Sequence, residues 1–304
     1  MFAKAKFAVI AAALFAAAPL QAQTAPGSDV ADRFRQQAAP TTERERTEAI
    51  LTGDTDLVLL RRTPLFTLSG TLAASPTSNA FLSPLDPHSD VILQGQAALR
   101  IGTRIGGRVD LFAEAGLLGV RYARFGALGY NALVGAVGAG TRLAGFDLAL
   151  LYQPSLIYAR DFKTRQLTQH QFSATASRSF AVGSVIVTPS VTGQRVESSP
   201  SDYRNWAASA DLSLQRPFRI GHLPAAAFAT GGFEYRAFDS YFRDLLGVDR
   251  SDKLLRASAG LVVQIAPAAS LRAAYNFQRN RSTSDVNGYT AHSGGLTLSA
   301  GIRF

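Results

Sequence analysis

The stretch Val91-Ile92-Leu93-Gln94-Gly95-Gln96-Ala97-Ala98-Leu99-Arg100-Ile101 decides the fold. Val91, Leu93, Gly95, Ala97, Leu99 and Ile101 share one parity, while Gln94, Gln96, Arg100 and, just beyond, Arg104 share the other. Successive side chains of a β-strand point to opposite faces, so this segment builds a strand with one apolar and one polar wall. A helix of 3.6 residues per turn would mix the two sets.

The same split recurs along the chain. Phe146, Leu148, Leu150 and Tyr152 oppose Asp147 and Gln153; Trp206, Ala208, Ala210 and Leu212 oppose Asn205, Ser209 and Asp211; Leu271, Ala273, Tyr275 and Phe277 oppose Arg272, Asn276 and Gln278. The pattern predicts strands over 65–74, 89–103, 108–123, 128–143, 146–160, 168–180, 184–196, 203–216, 223–237, 253–266, 270–281 and 290–304. The segment 128–143 is apolar or Gly on both faces, so its register is open. Pro154 and Pro189 fall inside predicted strands, where a missing N–H predicts a bulge. Connections alternate: short ones at Ile105-Gly106-Gly107, Ala144-Gly145, Ala181-Val182-Gly183, Pro217 to His222 and Pro267-Ala268-Ala269, and mostly longer polar ones such as Ser75 to His88 and Phe238 to Asp252.

Charged residues are 17% of the chain, below the roughly 25% of soluble domains. Yet after the first residues no uncharged apolar run reaches helical spanning length; the richest stretch, Ala127 to Tyr152, is interrupted by Arg142 and Asp147. Lipid cannot satisfy an open sheet edge, so a membrane protein without apolar helices must close its sheet. A soluble β-sandwich also alternates, but strands of about 13 to 15 residues exceed its usual 3 to 10. The fold expected is therefore all-β: a closed antiparallel transmembrane β-barrel of about twelve strands. Tyr158, Trp206 and Tyr235 at one end of the apolar stripes, and Phe146, Phe180 and Phe304 at the other, suit the two membrane interfaces.

Residues 1–22 read as a secretory signal peptide: Lys4 and Lys6, an Ala-rich apolar run from Phe7 to Leu20, and a cleavage site after Ala22. Residues 23–62 differ from the rest, with mixed charges from Asp29 to Arg62 and a capping box at Thr42 and Glu45. They are expected to form a short, partly helical periplasmic extension, leaving 63–304 for the barrel. The chain closes Leu296-Thr297-Leu298-Ser299-Ala300-Gly301-Ile302-Arg303-Phe304. This resembles the C-terminal strand of bacterial outer-membrane proteins. The resemblance implies export to the outer membrane, recognition of Phe304 by the barrel-assembly machinery, and outer-membrane lipid around the wall. The region Thr77-Ser78-Asn79-Ala80-Phe81, with Ser89-Asp90-Val91-Ile92, also resembles β-barrel porins of alphaproteobacteria associated with exopolysaccharide genes, which implies polysaccharide passage and supplies no catalytic residues.

Parity assigns the lumen Gln94, Gln96, Arg100, Asp110, Glu114, Gln153, Asp211, Glu234, Arg236, Arg256, Asn276, Gln278 and Arg303. These residues either line a narrow water-filled pore or pair across and fill the barrel. The chain carries 31 Lys and Arg against 22 Asp and Glu, and such an excess favours anionic solutes, acidic saccharides among them. No nucleic-acid motif accompanies that charge. There is no Cys, no metal-ligand spacing and no cofactor motif. His170 and His292 fall near the external rim, but Ser293 adjoins His292 on the opposite face, and no Gly-x-Ser-x-Gly elbow exists. The expected function is a porin or channel for small hydrophilic solutes rather than an enzyme. The alternatives are a component of exopolysaccharide or envelope secretion, with 28–62 docking a partner, a barrel displaying loops, and an outer-membrane lipid-modifying enzyme.

Overall fold

The computed structural model describes residues 66–85, 87–106, 108–239 and 249–303. The signal peptide, the extension and Phe304 of the sequence reading lie outside them. The strands are β1 (Phe66–Thr77), β2 (Asp90–Ile105), β3 (Val109–Tyr122), β4 (Tyr130–Leu143), β5 (Phe146–Ala159), β6 (Arg165–Ser177), β7 (Phe180–Val182), β8 (Val185–Ser199), β9 (Asn205–Ile220), β10 (Leu223–Phe238), β11 (Ser251–Ala266), β12 (Ala269–Ser282) and β13 (Tyr289–Arg303). Consecutive strands pair antiparallel except at β6 and β7, which both pair with β8, and β1 closes onto β13. The short β7 continues β6: Ser177 faces Ser190 and Phe180 faces Val187 on β8 in one unbroken register. The result is a closed barrel of twelve antiparallel staves, which leaves no sheet edge to satisfy.

The expected bulges at Pro154 and Pro189 do not form. Pro154 sits opposite His170 without a shift. Its ladder to β4 skips Gly135 and Ala136, then resumes unchanged at Val137 and Tyr152. Pro189 keeps its register with Leu212 and faces the break between β6 and β7, where the Arg178 N–H donates to the Pro189 carbonyl at 3.2 Å. A missing donor deletes one rung but adds no residue, so the strand is interrupted rather than bulged. Register shifts occur elsewhere, between Ile157 and Tyr158 and between Gln264 and Ala266.

One rim carries tight turns whose backbone demands positive φ: Gly106 (58°), Ala144 with Gly145 (50° and 81°), Gly183 (60°) and Gly221 (61°). Such turns match the twist of the flanking strands. β9 runs through Pro217 to Ile220, so the turn expected over Pro217 to His222 shrinks to Gly221-His222. The opposite rim carries the longer connections, three with a 3₁₀ turn (Gly126–Leu128, Ser201–Tyr203 and Asp285–Asn287).

The apolar stripes point outward. Leu72 is 65% exposed and Leu150 64%, with Leu93, Leu99, Val137, Leu212, Leu255, Leu261, Leu296 and Ile302 also exposed. An aliphatic belt on every side of a cylinder is the surface of a membrane-spanning barrel. In a sandwich these same stripes would face each other.

Candidate functional site: the barrel lumen

The inward parity of each strand places Gln94, Gln96 and Arg100 of β2, Asp110 and Glu114 of β3, and Gln153 of β5 inside. Asp211 of β9, Glu234 and Arg236 of β10, Arg256 of β11, and Asn276 and Gln278 of β12 also face inward. The backbone of Arg303 ends β13 opposite Thr67.

Registry brings the charged members together. Asp211, Gly232 and Arg256 lie in one row across β9, β10 and β11. Arg256 reaches over Gly232: its Nη2 donates to Asp211 Oδ1 at 2.9 Å and Oδ2 at 3.0 Å. Its Nη1 stands 3.5 Å from Glu234 Oε2, and Arg236 donates through Nη2 to Glu234 Oε1 at 2.5 Å. Nearer the long-loop rim, Arg250 donates to Asp252 at 2.6 Å, while its guanidinium lies 4.3 Å from the Phe238 ring. On the opposite wall, near the tight-turn rim, Arg104 donates to Asp110 at 2.6 Å. Most of the lumen's arginine charge is thus met by carboxylate close at hand, and the wall is a mosaic of both signs.

Two further arginines sit over rings. Arg100 lies 4.0 Å above Phe112 and Arg272 4.0 Å above Phe228. In each case the ring fills the space left by a glycine opposite it, Gly138 for Phe112 and Gly260 for Phe228. A methyl at either glycine would fall on the ring.

Between these groups the wall of β5, β6, β8, β9 and β11 to β13 carries short hydroxyls and amides. Thr175 and Thr192 bond at 2.9 Å, and Ser179 and Thr188 at 2.8 Å. Others lack a protein partner: Ser155 Oγ, Ser213 Oγ, Ser258 Oγ, Ser270 Oγ, Gln153 Oε1 and Asn276 Oδ1. Buried polar atoms left in this way are the kind that ordered water satisfies in folded proteins.

Sequence reasoning missed the other half of the lumen. At the long-loop rim, Ile92, Leu118, Val120, Tyr122, Tyr130 and Ile157 turn inward and pack with Ala80 of the first loop, Leu167, Tyr203 and Phe238. This cluster joins staves from both sides of the cylinder, so an apolar layer crosses the mouth. The expectation of a lumen polar along its whole length is therefore corrected. Its signal lay in apolar runs that ignore parity, Val91-Ile92-Leu93, Leu117-Leu118 and Leu156-Ile157: where both faces are apolar, alternation stops reporting which one meets water.

The rim histidines are on the outer wall. Tyr152 Oη lies 2.8 Å from His170 Nδ1, and Tyr275 Oη 2.6 Å from His292 Nδ1. Ser293 is turned inward, where it accepts from Asn276 at 3.4 Å. Among the described residues no group of three or more His, Asp or Glu is placed to hold a metal ion. On the outside of the same rim, Arg195 joins Asp239 at 2.6 Å and Glu197 at 2.8 Å. The Arg195 hydrogen bond holds the Asp239 carboxyl below its ordinary range.

No family model matches the sequence, and no curated protein matches it. Among solved structures the chain is similar to an outer membrane channel from Pseudomonas putida F1, at 13% identity over 80% of this chain and 97% of that one, with a TM-score of 0.49. It is also similar to the β domain of the Bordetella autotransporter BrkA (13% identity, 79% and 100% covered, TM-score 0.47). A third is the KdgM porin in complex with disordered oligogalacturonate (8% identity, 78% and 99% covered, TM-score 0.39). At such identities function is a matter for this barrel's own lumen.

Proposed function

We propose that this chain is an outer-membrane channel of the porin type, admitting small hydrophilic solutes, anions and saccharides among them. The observation that carries the reading is the wall of short hydroxyls and amides, with Ser155, Ser213, Ser258 and Ser270 on β5, β9, β11 and β12. Water bound there gives a polar solute a path with hydrogen bonds on one side. The charged mosaic around Asp211 and Arg256 then stands at its border. The tight-turn rim faces the periplasm and the long-loop rim the exterior, as in barrels whose periplasmic turns are short. The apolar layer at the outer mouth acts as a constriction that passes water and solute only when it opens, since narrow apolar sections of a pore dewet. The chain's overall excess of Arg and Lys over Asp and Glu favours the approach of anions.

The test is conductance of the refolded full chain in planar bilayers under a potassium chloride gradient. Discrete current steps with a reversal potential on the chloride side are expected. Silence of a folded barrel would remove the channel reading, and potassium preference would remove the anion reading. Fractionation of cells expressing the chain should place it with the outer membrane.

A further inference from the structure

We infer that the external end of β11 and β12 carries, on the outer wall, a binding site for the phosphate of an outer-leaflet glycolipid. Outward residues of β12 rise in order from Leu271 and Ala273 through Tyr275 and Phe277 to Arg279 and Arg281. Aliphatic, aromatic and cationic side chains thus follow one another in the sequence met on leaving acyl chains for headgroups. Beside Arg281, directly opposite in register, stands Lys253 of β11, and beside Arg279 stands Leu255. Lys253, Arg279 and Arg281 are all exposed.

Like charges directly across a strand pair repel, and a fold carries them at a cost unless an anion sits between them. Among the described residues none does so. Asp252, next to Lys253, points inward and is held by Arg250 at 2.6 Å. The rim acids Glu197 and Asp239 are engaged by Arg195, with Arg204 also at Glu197. Among the described residues no carboxylate pairs with Lys253, Arg279 or Arg281. Their level on the wall, beside Tyr235 (which pairs with Lys253) and above Tyr275, is where a membrane-bound anion would meet them. A soluble anion would have no use for the aliphatic stripe below; a phosphorylated lipid uses both. The inference takes from the proposed function only the outer-membrane setting, and it is read without any conductance.

The full chain, folded in detergent micelles, is titrated with a diphosphorylated glucosamine-based glycolipid, with the same lipid dephosphorylated, and with inorganic phosphate, and bound lipid is counted by native mass spectrometry. The phosphorylated lipid should bind at least tenfold better than its dephosphorylated form. Lys253→Gln/Arg279→Gln/Arg281→Gln should lose that advantage, at roughly fivefold per cation, while Arg216→Gln, on the outer wall near the other rim, should keep it. The single Arg281→Gln variant serves if the triple variant fails to show the folded gel mobility. Equal binding of the two lipids, unchanged binding by the folded variants, or inorganic phosphate bound as tightly as the lipid would each overturn the assignment.

Discussion

Arg256 and Asp211 form an ion pair across a strand that neither belongs to. They sit on β11 and β9, and the guanidinium reaches the carboxylate at 2.9 Å over Gly232 of β10. Both side chains keep about a quarter to a third of their surface accessible (30% and 26%), so each still contributes to the field felt inside the lumen.

Removing either charge should tilt selectivity in opposite directions. Asp211→Asn leaves Arg256 in excess and should raise the chloride-to-potassium permeability ratio. Arg256→Gln leaves Asp211 in excess and should lower it. A unit charge a few ångströms from a solute in water is worth ~1 kcal/mol, so a change of about fivefold is expected each way. The double variant should return close to the parent. Reversal potentials measure all three, and shifts of the same sign in the two single variants would disprove the pair's role.

Glycine is required where these contacts cross a strand. A methyl at Gly232 would overlap the Asp211 carboxylate, and one at Gly260 would meet both the Phe228 ring and the Ala273 carbonyl of the neighbouring strand. Gly232→Ala should therefore shift selectivity with little loss of stability, because a carboxylate can swing aside. Gly260→Ala should cost stability, since backbone and a ring held under Arg272 at 4.0 Å cannot yield as easily. Urea unfolding of the two variants in detergent checks the contrast, with Gly260→Ala the less stable by about 1 to 3 kcal/mol.

The outer wall was legible in the sequence because its physics is local. Leu93, Leu99 and Ile101 alternate with Gln94, Gln96 and Arg100, and parity alone separates lipid from lumen. The partnership of Arg256 with Asp211 was not legible, because it depends on the register of two ladders at once. Pro189 misled for a related reason: its missing donor is accommodated by the gap between β6 and β7 on the neighbouring stave, which the sequence of β8 alone does not show. The apolar layer was hidden where Ile92, Leu118 and Ile157 sit within runs apolar on both faces.

The Asp239–Arg195 pair at the outer rim should make the barrel less stable in acid. Its folded carboxyl titrates below the ordinary aspartate range because Arg195 donates to it. A lowered pKa contributes stability that is present above the unfolded value of about 3.9 and is lost as pH falls through the folded value. Side-chain exposures of 37% and 39% keep the effect small, below about 1 kcal/mol. Asp239→Asn should thus match the parent at low pH and fall slightly behind it above about pH 4. Urea midpoints from about pH 2 to 6 measure this, and a parent that gains on the variant as pH drops would refute it.

The apolar layer should govern conductance. Tyr130 is fully buried and Phe238 is 7% exposed, and they belong to one cluster although β4 and β10 lie far apart in the sheet order. Truncating Phe238→Ala removes a ring from the constriction and takes away the face on which Arg250 rests at 4.3 Å. Unit conductance should rise and open events should lengthen, at a stability cost of about 3 kcal/mol. Phe238→Leu keeps the mouth apolar with less bulk and should fall between variant and parent. Thr175→Val, deep in the polar wall, should leave the open probability unchanged and lower conductance slightly by removing a wall hydroxyl, the one that pairs with Thr192. Single-channel recording separates the two regions: if Phe238→Ala conducts like the parent while Thr175→Val changes gating, the constriction lies in the polar section and not at the apolar mouth.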